Sequence, residues 1–344
     1  MAVLVLGGLG YIGSNTVAEI LQTQSSQVIA FDNLSNTSLQ RLSQIQKEVG
    51  SEAYKNFNFI GGDIRSDLYK VLTRFAVEEI EHIIHFAALK SVDQSFNRPL
   101  DYYSTNVHGT IEVLRFAETL PNLKTLVFSS SATVYGDNSQ LPLVEDSPLS
   151  STNPYGQTKI QCEAILRDFS QSFVNINPNF KAIALRYFNP VGASKKGFLG
   201  DDLSSDPPAS LFPSIANYQS RNNGEFVING GDYPTSDGTC VRDFISVHDL
   251  AKAHLAAIQA DKLSEGFHAI NVGSGTGYSI KEVLSTFEQY LPITYRIGER
   301  RPGDVAEGFA DVSKAKLSLG WEAQDSLDTM VKSELNVWNS RDSR

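Results

Sequence analysis

Cysteine, basic residues and long apolar runs are all scarce in this chain of 344 residues. Only Cys162 and Cys240 occur, without a CxxC pair, so a disulfide framework and a cysteine-based zinc site are excluded. Lysine and arginine number 29 against 39 acids, and the net charge of -10 disfavours binding to nucleic acid or anionic membranes. With no basic leader and no run of membrane-spanning length, we expect a cytoplasmic protein.

The remaining composition, 41% hydrophobic and 20% charged, is that of a globular protein with one large or two coupled domains. Short β-branched runs alternate with helical patterns, which predicts an α/β fold with a Rossmann-type doubly wound parallel sheet. The predicted strands are 3–6, 27–31, 56–60, 82–86, 124–131 and 181–186, and the predicted helices include 11–24, 101–119 and 154–171.

After Asn189 the composition changes to a stretch rich in Gly, Ser, Asp and Pro, which predicts a smaller C-terminal lobe. We therefore expect a dinucleotide-binding domain over residues 1–187 and a lobe that binds substrate over most of residues 188–344. The apolar runs 241–247 and 269–272 are candidate strands that return to the first domain.

A glycine-rich turn follows the first predicted strand and opens a helix. Gly7, Gly10 and Gly13 recur every three residues, a spacing that lets a pyrophosphate approach the backbone at a helix N-terminus. Asp32 ends the second strand about 20 residues further on, where an acid binds the adenosine ribose diol and repels a 2′-phosphate, so NAD is favoured over NADP. Asp63, after the third strand, is either an acceptor for the adenine amino group or a plain turn residue.

A possible proton-transfer pair lies in the predicted helix 154–171. Asn153 can cap this helix with Pro154 in its first turn, and Tyr155 and Lys159, four residues apart, then share one face. A neighbouring ammonium favours the phenolate, and a nicotinamide cation adds to that effect. The YxxxK spacing also occurs in ordinary helices, so it gains weight only from the dinucleotide fold that precedes it.

Three serines end the strand 124–131, at the sheet edge where such folds place their chemistry. The period of two puts Ser129 and Ser131 on one face and Ser130 on the other. A serine there could hold both a substrate hydroxyl and the Tyr155 oxygen, although serines also simply end strands.

The segments 7–14, 32–36, 85–90, 129–136, 154–159 and 186–193 together resemble the UDP-glucose 4-epimerase family of extended short-chain dehydrogenases/reductases. The resemblance, which covers nearly the whole chain, implies an NAD that stays bound and is regenerated in each turnover. It implies that Tyr155 removes the proton of the sugar 4-hydroxyl, that Lys159 lowers the pKa of Tyr155 and holds the nicotinamide ribose, and that Ser131 binds substrate. Hydride then passes to NAD, and the 4-keto sugar rotates before the hydride returns to its other face.

The same resemblance implies two sets of binding residues and a homodimer formed through the helices 101–119 and 154–171. The cofactor set is Gly7, Gly10, Tyr11, Ile12, Gly13, Asp32, Asn33, Asn36, Asp63, Ile64, Phe86, Ala87, Lys90, Asn106, Tyr155, Lys159 and Phe188. The substrate set is Lys90, Ser131, Tyr155, Asn189, Ser210, Leu211, Val227, Asn229, Arg242, Arg301, Asp304 and Gly308. The histidine spacings do not form a ligand set, and no metal is predicted.

Several positions bear on the reaction and its substrate. Ala132 and Thr133 replace the acid pair that related dehydratases use to eliminate water, so epimerisation is favoured. Ser210 stands in place of a family asparagine, Asn229 in place of an aromatic residue near uracil, and Gly308 in place of a residue that limits space at sugar carbon 2. We therefore predict that UDP-N-acetylhexosamines are accepted as well as UDP-hexoses.

Two alternatives remain open at this point. One is a 4-epimerase of another nucleotide sugar, such as a UDP-pentose, or a related 4-keto-sugar enzyme. The other is a non-catalytic sensor of NAD or nucleotide sugars, and the intact set of Ser131, Tyr155 and Lys159 argues against it.

Overall fold

The structure is a computed structural model that describes residues 2–24, 26–138, 140–201, 210–220, 225–301 and 303–342, with all side chains except those of 217–220 and 339–342. In chain order the strands are β1 (Ala2–Leu6), β2 (Gln27–Asp32), β3 (Phe57–Gly61), β4 (Ile80–His85), β5 (Thr125–Ser131), β6 (Lys181–Tyr187), β7 (Asn189–Val191), β8 (Phe226–Asn229), β9 (Val241–Ser246), β10 (Gly266–Val272), β11 (Gly277–Ser279), β12 (Tyr295–Gly298) and β13 (Glu307–Gly308).

Helices connect and cover these strands. The α-helices are α1 (Tyr11–Thr23), α2 (Gln40–Val49), α3 (Ser51–Tyr54), α4 (Val92–Asn97), α5 (Pro99–Tyr102), α6 (Gly109–Ala117), α7 (Pro154–Phe173), α8 (Leu211–Ser220), α9 (Val247–Ile258), α10 (Ile280–Glu288), α11 (Ser313–Leu319) and α12 (Leu327–Asp342). Short 3₁₀ segments are Leu68–Thr73, Val77–Glu79 and Ala132–Tyr135.

Seven parallel strands form the large sheet, in the order β10-β6-β5-β4-β1-β2-β3. All six predicted strands lie in it, and the α/β prediction is confirmed. β1 is buried throughout: Val3 and Val5 pack in the core layer beside α1 and α9, and Leu4 and Leu6 pack in the layer beside α6 and α7. Burial on both faces explains the uninterrupted apolar strand sequences, because each buried aliphatic side chain contributes about 1.5–3 kcal/mol.

A π-helical segment, Tyr103–His108, joins α5 to α6 in one helical run, which the sequence predicted as an ordinary helix. Asn106 lies in this wider turn. Its Nδ2 donates to the Leu89 carbonyl at 3.1 Å and to Thr158 Oγ1 at 3.0 Å, and its Oδ1 accepts from the Leu89 N–H at 2.8 Å. The amide thereby ties the loop after β4 to α7, and π turns of this kind are frequent at functional sites.

Two smaller sheets lie apart from the large one: β9 pairs with β7, β11 and β13, and β8 pairs with β12. β10 joins the edge of the large sheet, whereas the run 241–247, a candidate for the same sheet, forms β9 of the small sheet and the start of α9. β9 begins with Val241, Arg242 and Asp243, and such charged residues do not suit a parallel sheet covered on both faces. Across the described ranges, no helix has both the length and the apolar character needed to cross a bilayer.

Candidate active site

The glycine turn between β1 and α1 forms a cradle that side chains would fill. Gly7 has a φ of +77°, and a Cβ there would lie 2.7 Å from the Ala87 nitrogen. A Cβ on Gly13 would lie 2.1 Å from the Gly7 carbonyl oxygen. Gly10 caps α1 without a side-chain hydrogen bond, so the first-turn N–H groups need acceptors from outside the helix. A pyrophosphate fits this arrangement of close backbone and helix N-terminus.

Asp32, at the end of β2, lies beside this turn. Its carboxylate accepts hydrogen bonds from the backbone N–H of Leu9 at 3.0 Å and of Leu34 at 2.8 Å. Burial raises the pKa of Asp32, and the backbone hydrogen bonds oppose that rise. The structure places Asn36 exposed in the following loop. The Asp32 carboxylate is thus fixed at the position where the sequence predicts an acceptor for the hydroxyls of the adenosine ribose.

Asp63 and Asn33, the two residues assigned to the adenine side, contact each other. Asn33 Nδ2 donates to Asp63 Oδ2 at 3.3 Å. Arg65 Nε and Nη2 donate to the two carboxylate oxygens at 2.9 and 2.7 Å, and these bonds lower the pKa of Asp63 to about 2. Ile64 between them is buried. Arg65, which sequence reasoning missed, orients the Asp63 carboxylate, and the role of Asp63 toward adenine stays a prediction.

The other predicted cofactor residues lie at or near the same carboxyl edge of the sheet. The Tyr11 hydroxyl, in the first turn of α1, donates to the Gly192 carbonyl at 2.6 Å. Ile12 is half-buried in that turn, Phe86 and Ala87 follow β4, and buried Phe188 follows β6.

Lys90 connects the cofactor set to the substrate set. Its Nζ pairs with Asp201 Oδ1 at 3.3 Å and lies 6.0 Å from the centre of the Tyr11 ring. Ser210 Oγ donates to the other Asp201 oxygen at 2.7 Å. Sequence reasoning missed Asp201, because 111 residues separate it from Lys90 and no local pattern marks it.

Tyr155 and Lys159 lie in the first two turns of α7, beside the end of β5. Asn153 caps the helix by accepting a first-turn N–H at 2.8 Å, which confirms the predicted cap. The Tyr155 side chain is hydrogen-bonded to that of Ser131. Lys159 Nζ donates to the Ser129 carbonyl at 2.6 Å. The predicted hydroxyl, phenol and ammonium groups are thus held together at one sheet edge.

Burial dominates the acidity of Tyr155. It raises the pKa of Tyr155 to about 12, and the hydrogen bond with Ser131 opposes this rise only in part. Lys159 Nζ lies 5.8 Å from the centre of the Tyr155 ring and donates to the Ser129 carbonyl. Desolvation of a buried phenolate is therefore the largest effect on this phenol, and the expected lowering of its pKa by Lys159 and by bound NAD stays a prediction.

Lys159 itself is 2% exposed, and burial lowers its pKa from 10.5 to about 8. Its ammonium lies 4.7 Å from the centre of the Phe128 ring. His85 is buried nearby, and burial together with the Lys159 charge lowers the pKa of that imidazole to about 3. At neutral pH the site therefore holds a charged Lys159 beside a neutral His85.

The alternation of the three serines is confirmed. Ser131 faces Tyr155, and the Ser129 hydroxyl on the same side of the strand bonds the Tyr187 hydroxyl. Ser130 faces the other way and donates to Glu163 Oε1 at 2.5 Å. Ser131 is thus the serine placed for hydrogen bonds with both Tyr155 and a substrate hydroxyl. Sequence reasoning missed Glu163, whose only signal in the sequence is its position four residues after Lys159 in α7.

Outside the large sheet, β9 and β13 bring part of the predicted substrate set together. Arg242 is in register with Gly308, and its Nη2 lies 3.6 Å from Asp304 Oδ1. Asn189 Nδ2 donates to the Asp243 carbonyl at 2.9 Å. The Asp243 carboxylate, also missed from sequence, accepts backbone N–H groups of the loops around this sheet, from Ser274, Gly275 and Ala310.

The remaining substrate candidates lie on other elements. Val227 and Asn229 belong to β8, whose partner is β12 and not the sheet of Arg242. Leu211 begins α8, and exposed Arg301 follows β12. A Cβ on Gly308 would have no atom within 4 Å, so this position borders open space.

One group of residues in the described ranges has the spacing of a metal site: His248, Asp249 and Asp325. The Asp249 carboxylate already accepts the backbone N–H groups of Gln324 and Asp325 at 2.7 Å and pairs with Lys252 at 3.0 Å. The Asp249 carboxylate is therefore occupied by hydrogen bonds, and the proposed proton-transfer residues do not include this group.

Comparison with known proteins identifies the family of the chain. The family model described as GDP-mannose 4,6 dehydratase matches residues 4–334. A UDP-glucose 4-epimerase of Bacillus subtilis is 43% identical over 96% of this chain and 94% of its own length. One of Erwinia amylovora is 42% identical over 99% of this chain and 98% of its own.

Solved structures of the same family are similar to the whole chain. The UDP-glucose 4-epimerase of Bifidobacterium longum, in complex with NAD+ and UDP, is 40% identical with a TM-score of 0.89 over 99% of both chains. That of Stenotrophomonas maltophila, with NAD and formylated UDP-arabinopyranose, is 36% identical with a TM-score of 0.91 over 100% of this chain and 99% of its own. The chain therefore belongs to the UDP-glucose 4-epimerase family of extended short-chain dehydrogenases/reductases.

Proposed function

We propose that this protein is an NAD-dependent 4-epimerase that interconverts UDP-glucose and UDP-galactose. The observation that carries the proposal is the buried contact of Tyr155 with Ser131, next to Lys159, at the sheet edge that also holds the glycine cradle. NAD in the crystal structures of relatives supports the cofactor.

The chain's own groups perform the proton transfer. As a phenolate, Tyr155 takes the proton of the sugar 4-hydroxyl, while Ser131 hydrogen-bonds both oxygens and keeps them aligned. When bound, NAD supplies the hydride acceptor and donor and a positive charge that favours the phenolate. Lys159 contributes its ammonium below a pH of about 8, and the same Tyr155 returns the proton after the keto sugar has rotated.

Residues of both lobes would hold the ligands. The turn of Gly7, Gly10 and Gly13 receives the cofactor pyrophosphate, and Asp32 receives the adenosine ribose. Arg242 and Arg301 supply guanidinium groups for the substrate diphosphate. The open space at Gly308 supports acceptance of UDP-N-acetylglucosamine and UDP-N-acetylgalactosamine in addition.

A dehydratase is the second function to consider, because the matching family model carries that description. Elimination of water needs an acid and a base beside the strand-end hydroxyl. Here that place holds Ala132 and Thr133, and Thr133 Oγ1 donates to Ser131 Oγ at 3.0 Å. Epimerisation is the better supported reaction.

We also propose the division into a cofactor domain over residues 1–187, to which α9 and β10 of the segment 241–275 return, and a lobe over 188–344 that mainly binds substrate. A homodimer through the helical run of α5 and α6 together with α7 is part of the proposal, and Leu100, 80% exposed in α5, supports it. The unpaired Cys162 and Cys240 agree with a cytoplasmic location.

Proton NMR of UDP-galactose incubated with pure protein and no added NAD tests the function. We expect the anomeric signal of UDP-glucose to grow to an equilibrium mixture without net NADH. Unchanged spectra of NAD-loaded protein with every UDP-sugar would refute catalysis and favour a sensor. Turnover of UDP-pentoses alone would instead show that Ser210 and Asn229 have shifted the substrate preference.

A further inference from the structure

Each of the three serines at the end of β5 contacts α7. The Ser131 side chain bonds that of Tyr155, the Ser129 carbonyl accepts from Lys159, and the Ser130 hydroxyl donates to Glu163. Tyr155, Lys159 and Glu163 follow one another at intervals of four residues and so lie along one side of the helix. Tyr155 and Lys159 take part in the proposed proton transfer, whereas Glu163 does not contact the reacting atoms.

Glu163 is 1% exposed and also pairs with buried Arg186 of β6. Arg186 Nη2 lies 2.6 Å from Oε2, and Nε lies 2.9 Å from Oε1. Ser130 and Arg186 are opposite each other in the register of β5 and β6. One carboxylate of α7 therefore bonds two adjacent strands, at the level of the sheet where Ser129, Ser131 and Tyr187 lie.

Further hydrogen bonds hold Arg186 in place. Its Nη1 donates to the Tyr135 hydroxyl at 3.1 Å and to the Glu145 carbonyl at 2.8 Å. The Tyr135 hydroxyl in turn donates to Asn271 Oδ1 at 2.5 Å in β10. Buried polar networks of this kind are rigid when their members are satisfied. The position of Glu163 is therefore set by the sheet and not by α7 alone.

We propose that Glu163 is the positioning residue of the Tyr155–Lys159 pair: its carboxylate holds α7 in register with the serines of β5 and supplies a fixed negative charge to the lysine. The proposal rests on the proposed function above and deepens it. Glu163 acts through Ser130, Arg186 and the helix, without contact to the reacting atoms.

The charge around Lys159 is consistent with this role. Burial lowers the pKa of Lys159, and the Glu163 carboxylate is among the groups that raise it. Tyr155 and Cys162 on α7, Tyr102 on α5 and Tyr187 on β6 have raised pKa values, and His85 on β4 has a lowered one, so all five are neutral at pH 7. Arg186 is the nearby opposing cation, and without Glu163 its charge would be left uncompensated.

NMR titration of Lys159 tests the proposal without requiring turnover. The protein carries lysine labelled with ¹³C at Cε, and the Lys159 signal is assigned by its loss in Lys159→Met. We expect Glu163→Gln to lower the titration midpoint by about one pH unit, because a negative charge is lost beside the ammonium. Asp168→Asn, which removes a charge from an exposed position of the same helix, should leave the midpoint unchanged. An unchanged midpoint in folded Glu163→Gln would refute the electrostatic role.

Glu163→Asp separates charge from position. It keeps the charge but shortens the side chain by one methylene, so we expect an unshifted midpoint and a roughly tenfold lower kcat with little change in KM. Wild-type kcat in this variant would refute the positioning role.

If Glu163→Gln does not fold with Arg186 unpaired, the double variant Glu163→Met with Arg186→Met supplies an apolar pair. This variant should fold and lose at least about tenfold in kcat, and full activity would refute the proposal.

The wild-type measurements keep the two proposals distinct. Wild-type protein that is inactive toward UDP-sugars would contradict the proposed function, while the Lys159 midpoints would still decide the effect of Glu163.

Discussion

The edge of the large sheet at the end of β5 and the small sheets around β9 and β8 are built in different ways. Tyr155 and Lys159 are buried, and Lys159 Nζ donates to the Ser129 carbonyl of β5 at 2.6 Å. Arg301, Asp304 and Asn229 are exposed at the ends of short strands and in turns. The groups proposed to transfer the proton are thus held by the large sheet, whereas those proposed to bind the substrate lie on short, exposed elements.

This contrast bears on three of the four positions that depart from the family resemblance. Ser210, Asn229 and Gly308 lie outside the large sheet, whereas the fourth, Asn15, which stands where the family has a histidine, is buried in α1 and donates to the Tyr11 and Leu199 carbonyls. A substitution beside open solvent costs little stability, whereas one in a close-packed polar edge disturbs several bonds at once. Specificity can therefore change while the reaction is retained.

Tyr155→Phe should produce the largest effect. It removes the only proposed proton carrier, so we expect kcat to fall by about a thousandfold, or about 4 kcal/mol, with little change in KM or in bound NAD. Steady-state rates with UDP-galactose and absorbance of the released cofactor measure this. Tyr69→Phe, at an exposed tyrosine, is the control, and near-wild-type turnover by Tyr155→Phe would contradict the assignment.

Acid should destabilise the protein through three buried histidines. Burial lowers the pKa of His82 and His254 to about 4 and that of His85 to about 3, so below pH 6.5 the unfolded chain binds protons that the native protein does not. Stability therefore decreases as pH falls from 7 toward 4. Between pH 7 and 5.5 we expect a loss of about 3 kcal/mol in urea unfolding, since each histidine contributes about 1 kcal/mol.

His254→Gln should reduce that pH dependence by about one third, since one of the three contributions is lost. His108→Gln, at an exposed side chain, should leave it unchanged. Equal slopes in both variants would show that other groups cause the acid sensitivity.

Gly308→Tyr tests whether the open space at Gly308 sets the range of accepted substrates. A tyrosine would occupy the open space at this position, so activity toward UDP-N-acetylglucosamine should fall by roughly 10–200-fold while UDP-galactose activity is kept. Gly308→Ala is the matched control, because its Cβ meets no atom within 4 Å. Unreduced activity of Gly308→Tyr toward the N-acetylated sugar would show that this position does not set the substrate range.

Asn229→Phe should have the smallest effect. An aromatic ring in place of Asn229 adds a stacking surface for uracil, worth about 0.5–1.5 kcal/mol, so KM for UDP-galactose should fall about two- to tenfold. The unchanged kcat serves as an internal control, and an unchanged or higher KM would place uracil elsewhere.

The elements with local signals were predictable. The strands of the large sheet follow from apolar runs, α7 begins at the predicted cap of Asn153, and the glycine turn lies between β1 and α1. The π segment around Asn106 was not predicted, because it depends on hydrogen bonds to Leu89 and Thr158 that only the folded chain brings near. The sheet of β9 was misjudged for a similar reason, since an apolar run does not specify its partner strand.

The sequence by itself determined the fold class and the family and indicated the candidate proton-transfer residues, because these depend on spacing within single elements. Only the tertiary structure decided the pKa values of Tyr155 and Lys159 and the contacts that hold Glu163 in place. The raised pKa of Tyr155 and the lowered pKa of Lys159 arise from burial, which is a property of all neighbours together. The contact of Glu163 with Ser130 and Arg186 likewise joins residues that are distant in sequence, and the register of two parallel strands brings them together.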